Sequence, residues 1–118
     1  VTVADLQSGA GIIHGYGCST PIGGIDYVFI QRALAGIAGH PNVGAYVLVG
    51  LGCENNQISA LVKNFDLAGH NGMLASSAPH LVIQRLGGTR KAIRAGIEAV
   101  WHTLLLLVEA HINEHLQR

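Results

Sequence analysis

Apolar residues along this chain gather in short clusters separated by glycine, and the clusters alternate between two spacings. Around Gly11 to Tyr16, Ala45 to Leu51 and His80 to Leu86 they form short runs rich in Ile, Val and Leu, the pattern of buried strands. Each run is followed by glycine and then by a helical pattern. From Asp26 to Gly39, Phe29, Ile30, Leu34 and Ile37 recur at helical spacing, and His40-Pro41-Asn42 closes the segment. Asn55 to Asp66 repeats the pattern with Ile58, Leu61, Val62 and Phe65. Gly69 to Pro79 reads as a surface loop. A long helix is expected from Thr89 to His115, with Ile93, Ile97, Val100, Leu104 and Val108 on one face.

Strand and helix thus alternate three times. That predicts an α/β fold over residues 1–118 as a single domain, a three-layer Rossmann-like or flavodoxin-like unit with a small parallel sheet and a long C-terminal helix. With 118 residues there is room for one core and not for two. The long helix carries Trp101, Leu105 and Leu106 outside its main apolar face, so self-association is expected.

Composition narrows the partners. Seven Lys and Arg balance seven Asp and Glu, so no summed field favours nucleic acid or an anionic membrane surface. The unbroken apolar run Leu104 to Val108 falls far below the roughly 20 residues that span a bilayer, so no membrane partner is expected and the location is expected to be cytoplasmic. Two cysteines, Cys18 and Cys53, are too few for a disulfide framework and point to a reducing compartment.

In a parallel sheet, ligands collect beyond the carboxyl ends of the strands, where helix N-termini present free N–H groups. Three turns lie there: His14 to Cys18, Gly50 to Gln57, and Gln84 to Lys91. His14 and Cys18 are candidates for a nitrogen and a thiolate metal ligand, or else a core imidazole and an inert thiol. Cys53 and Glu54 suit a ligand and a general base at a strand-to-helix junction; alternatively Glu54 only favours the helix start. Gln57, three residues after Glu54, is placed to orient a substrate hydroxyl or to sit on the helix surface. Gly87, Gly88 and Thr89 allow close approach of a ligand and a cap, and Arg90 and Lys91 supply charge for a carboxylate, with Arg90 making the bidentate contact. A plain cap with solvated cations is the alternative. The C-terminal pattern His111, Glu114, His115 matches an inverted zinc-protease motif but sits at a helix end without a third ligand, and is read as a solvated face. Gly15 and Gly17 lack the further glycine of a dinucleotide fingerprint.

The stretches HGYGCS (14–19), IQRALAGIAGHPN (30–42), HPNVGAYVLVGLGCENNQI (40–58) and IQRLGGTRKAIRAGI (83–97) resemble, in order, the central portion of the altronate and galactarate dehydratase family. The resemblance covers about Ile12 to Val100. It implies a hydro-lyase that removes water from a sugar acid to give a 2-keto-3-deoxy sugar acid, aided by a divalent metal, Fe2+ or else Mn2+. On that reading Cys18 and Cys53 are the metal ligands, His14 and Glu54 the catalytic residues, and Gln57, Gly87, Gly88, Thr89, Arg90 and Lys91 the substrate contacts. The family's segments before HGYGC and its large C-terminal portion with a further Cys-Gly-Gly motif have no counterpart here, and Cys18-Ser19 stands where Cys-Gly is common. The expectation is therefore a domain that works as a homo-oligomer or beside a missing catalytic domain; the alternative is a non-catalytic carboxylate-binding or assembly domain of the same fold.

Overall fold

The computed structural model describes residues 11–67 and 80–117. The expected loop Gly69 to Pro79 lies outside them. In chain order the elements are α1 (Ile25–Ala38), β1 (Leu48–Gly50), α2 (Ile58–Phe65), β2 (His80–Val82), α3 (Ile83–Leu86) and α4 (Thr89–Leu116).

Helix α1 starts from Gly24, carries Asp26 in its first turn, and ends at Gly39, whose N–H donates to Ala35 O at 2.9 Å. Pro41 then prevents continuation. Strands β1 and β2 pair in parallel, Leu48 with His80, Val49 with Leu81 and Gly50 with Val82. The parallel pairing and the bounds of α1 and α4 agree with the sequence pattern.

Three expectations need correction. The described residues form a two-stranded parallel sheet flanked by helices, with no third strand among them, and do not bear out the three-layer Rossmann-like arrangement. Residues 11–16 make no ladder, and Ile13 stands 93% exposed. Glycines at 11, 15 and 17 weaken strand formation there, and adjacent Ile12 and Ile13 cannot share one buried sheet face. The run His80 to Leu86 is strand only to Val82 and then one helical turn, closed by Gly87 at φ 84° with its N–H on Gln84 O at 3.2 Å and by Gly88 N–H on Ile83 O at 3.0 Å. Short apolar runs do not distinguish these two conformations. Helix α2 begins at Ile58, not Asn55, because the amides at 55–57 hold the preceding loop.

The core is small and lies where α1 and α2 meet β1. Ala38, Leu61 and Leu67 are buried there, with Leu34, Ala35, Tyr46, Leu48, Val62 and Phe65 packed around them. A polar bridge crosses the same helix pair: Gln31, 2% exposed, donates to Asn56 Oδ1 at 2.9 Å and accepts from Asn64 Nδ2 at 2.9 Å. A buried amide satisfied at both ends fixes the register of α1 against α2.

Helix α4, 28 residues and roughly 42 Å long, packs its first turns on β2 and α3, where Ala92 is buried and Leu81 Cδ1 comes within 3.5 Å of where a Cβ on Gly96 would lie. Ile93, Ile97, Val100, Trp101, Leu105 and Ile112 are each about half exposed or more. By length and composition α4 is able to cross a membrane, a property of the whole helix that the short run Leu104 to Val108 does not reveal. The criterion rests on length and composition alone and by itself assigns α4 no membrane role.

Candidate functional site

The site is built by the chain leaving β1. A Cβ on Gly50 would meet Glu54 Oε1 and come within 2.9 Å of Ile58 Cδ1, so the glycine lets both side chains pack over the end of β1. Gly52 adopts φ 120°, and a Cβ on it would lie 2.7 Å from Gln84 Oε1 and 3.1 Å from Val82 Cγ1. The turn after β1 therefore presses directly on the end of β2, and Gln84 N–H extends the parallel pairing by donating to Leu51 O at 3.0 Å.

Side chains then fix the loop. Glu54 is turned back so that Oε2 accepts a short hydrogen bond from Gly52 N–H. Gln57 Nε2 donates to Gly52 O at 3.1 Å and to Glu54 O. Asn55 Nδ2 reaches the earlier turn, donating to Cys18 O at 2.9 Å and Thr20 O at 2.8 Å. One amide thus staples the segment around Cys18 to the loop after β1.

That staple brings two reactive groups together. Cys18 Sγ and Cys53 Sγ lie 3.9 Å apart, both exposed and both free thiols, although 35 positions separate them in the chain. Gln84 Nε2 donates to Cys53 Sγ at 3.2 Å. The Cys18 thiol is pushed above its ordinary value, chiefly by its hydrogen bond to Cys53, then by the negative charge of Cys53 and, to a lesser extent, of Glu54.

Beside Glu54 a cleft of about 310 Å3 runs between α2 and β2. Glu54, Gln57, Ser59, Lys63, His80 and Arg85 supply its polar lining, and Ile58, Val62 and Val82 its apolar wall. Its cations are Lys63 and Arg85, whereas Arg90 and Lys91 are not among its lining residues. Gly87 and Gly88 both take positive φ, 84° and 113°, and Gly88 rather than Thr89 is the N-cap of α4, with no side-chain cap bond. The Lys91 ammonium folds back over Gly87, 3.4 Å from where a Cβ would be.

The expected residues therefore fall into three places. Cys18, Cys53 and Glu54 converge after β1; Gln57 stands between that loop and the cleft, its amide committed to backbone carbonyls; Gly87 to Lys91 form a separate turn. His14 is exposed, on the irregular segment before Cys18. Among the described residues no group of three His, Cys, Asp or Glu is arranged to hold a metal ion. Of the four residues expected to converge, His14, Cys18, Cys53 and Glu54, the structure sets the two sulfurs against each other, while Glu54 Oε2 accepts from Gly52 N–H and Oε1 makes no such bond among the described residues. The pair itself has the right span, since two thiolates on one tetrahedral ion at about 2.3 Å stand about 3.8 Å apart.

Sequence reasoning passed over Asn55, Gln84 and Arg85. All three stand inside motifs it singled out, but Gln84 and Arg85 read as strand, and a helical turn instead sends one to Cys53 and the other to the cleft.

A small parallel α/β unit with a thiol pair and a carboxylate at its strand ends defines the class. Residues 3–106 match the second domain of the D-galactarate dehydratase/altronate hydrolase family, and the chain belongs to that family. It is similar to altronate dehydratase of Escherichia coli (strain K12), 47% identical over 47 residues, which cover 40% of this chain and 9% of that protein. It is also similar to altronate dehydratase of Bacillus subtilis (strain 168), 40% identical over 48 residues, 41% of this chain and 9% of that protein. No solved structure matches.

Proposed function

We propose that the chain is one domain of a hydro-lyase that dehydrates a sugar acid such as altronate or galactarate to a 2-keto-3-deoxy sugar acid, in a cytoplasmic assembly with further copies or with a separate catalytic domain. The reading is supported above all by the placement of Glu54 between the thiol pair and a cleft whose lining holds Arg85 and Lys63. Arg85 pairs with the substrate carboxylate, a planar match that a guanidinium makes bidentately. Glu54 takes the proton from the carbon beside that carboxylate; the hydroxyl on the next carbon leaves as water, and the resulting enol becomes the ketone. His14 is the candidate donor to the departing hydroxyl.

A divalent metal, Fe2+ or Mn2+, would find two of its ligands in Cys18 and Cys53. The described residues do not complete such a site. A second reading, carboxylate binding without catalysis, draws on the open space around Gly88 at the start of α4, with Arg90 and Lys91 next to it.

Turnover separates the two. The chain is supplied with altronate or galactarate and with Fe2+ or Mn2+, and formation of a 2-keto acid is followed. Product formation that disappears in Glu54→Gln supports the hydro-lyase; sugar-acid binding without product, in the chain alone and with its relatives' remaining domains added, supports the binding domain.

A further inference from the structure

We propose that Cys18 and Cys53 form a reversible disulfide within the chain by exchange with a small disulfide such as oxidised glutathione. The inference does not depend on the dehydratase reading.

Three observations carry it. The sulfurs are 3.9 Å apart, so a rotation of the side chains suffices for contact, and both are exposed, so a small disulfide has access. The two loops are held together independently of the sulfurs, by the Asn55 amide on Cys18 O and Thr20 O. The sulfurs also have different neighbours: Cys53 Sγ accepts a hydrogen bond from Gln84 Nε2 at 3.2 Å, which orients it beside Cys18.

The order of events follows. The Cys53 thiolate attacks one sulfur of oxidised glutathione, breaking its S–S bond and expelling one glutathione thiolate. Cys18 gives its proton to water and attacks the Cys53 sulfur of the mixed disulfide, expelling the second glutathione. Two protein thiols are oxidised, one external disulfide is reduced to two thiols, and one S–S bond forms in the chain. The bond ties the segment before α1 to the loop carrying Glu54, and it withdraws both sulfurs from any metal.

The test equilibrates the whole chain in glutathione buffers from reducing to oxidising, blocks remaining thiols with an alkylating reagent, and weighs the intact protein. The expected product lacks two hydrogens, carries no alkyl group, and melts at a higher temperature than the reduced chain. Cys18→Ser should stop at a single glutathione adduct on Cys53. Asn55→Ala, with the staple removed, should lower the ratio of closed disulfide to mixed disulfide about tenfold. A parent protein that carries one glutathione on each cysteine, or that keeps both thiols alkylatable at the oxidising end, overturns the proposal. Equal closure in Asn55→Ala overturns the role given to the staple.

Discussion

The same change, glycine to alanine, should move stability in opposite directions at two positions in this chain. At Gly52 the backbone sits at φ 120°, a region that residues with a Cβ rarely adopt, which costs about 1–3 kcal/mol. The added methyl also meets Gln84 Oε1 at 2.7 Å and Val82 Cγ1 at 3.1 Å. Gln84 can swing away only by giving up its hydrogen bond to Cys53 Sγ, which adds about 1 kcal/mol. The total loss is about 2–4 kcal/mol, a fall in Tm of about 8–16 °C for a domain of this size. At Gly36, exposed in the last turn of α1, a Cβ meets nothing within 4 Å. Gly36→Ala should therefore stabilise by up to about 0.5–1 kcal/mol through helix propensity. Thermal melts and urea titrations of the two variants beside the parent provide the comparison. Equal effects, or a neutral Gly52→Ala, would show that the turn after β1 does not press on β2 as described.

Two further outcomes follow from buried polar groups. Gln31→Leu keeps the volume between α1 and α2 but strands Asn56 Oδ1 and Asn64 Nδ2, and should cost about 1–3 kcal/mol in a urea titration; an unchanged midpoint would refute the bridge. Tyr46 donates its hydroxyl to Leu67 O at 2.7 Å, and burial raises its pKa above 10.0. The unfolded chain thus loses this proton first, so the contribution is complete below pH 10.0 and is lost as pH rises through the higher folded value. Tyr46→Phe should flatten that alkaline decline, read from melts on either side of pH 10.0.

Much of this was legible in the chain, and for physical reasons. Helical spacing over more than a dozen residues locates α1 and α4 closely, because a 3.6-residue period accumulates over several turns. Strands of three residues accumulate nothing, so Gly11 to Tyr16 looked like a strand and Ile83 to Leu86 like the end of one. The thiol pair was legible because both cysteines follow glycine turns at apparent strand ends. What was not legible was how side chains spend their hydrogen bonds: Glu54 on Gly52, Gln57 on two carbonyls, Asn55 on the far turn. Those commitments shift the start of α2 and turn one oxygen of Glu54 onto the backbone. Arg85 is missed for a related reason: read as strand, it gives no sign that it lines the cleft.

The central claim is that the cleft beside Glu54 takes a sugar acid through Arg85. Calorimetric titration of altronate and galactarate into the parent, Arg85→Ala and Arg90→Ala proteins tests it most directly. Loss of a charge-assisted pair of hydrogen bonds is worth at least about 1.5 kcal/mol, so affinity should fall about tenfold or more in Arg85→Ala and stay near the parent's in Arg90→Ala. The reverse pattern would move the carboxylate to the Gly87 to Lys91 turn, and no binding of either acid by the parent would contradict the account.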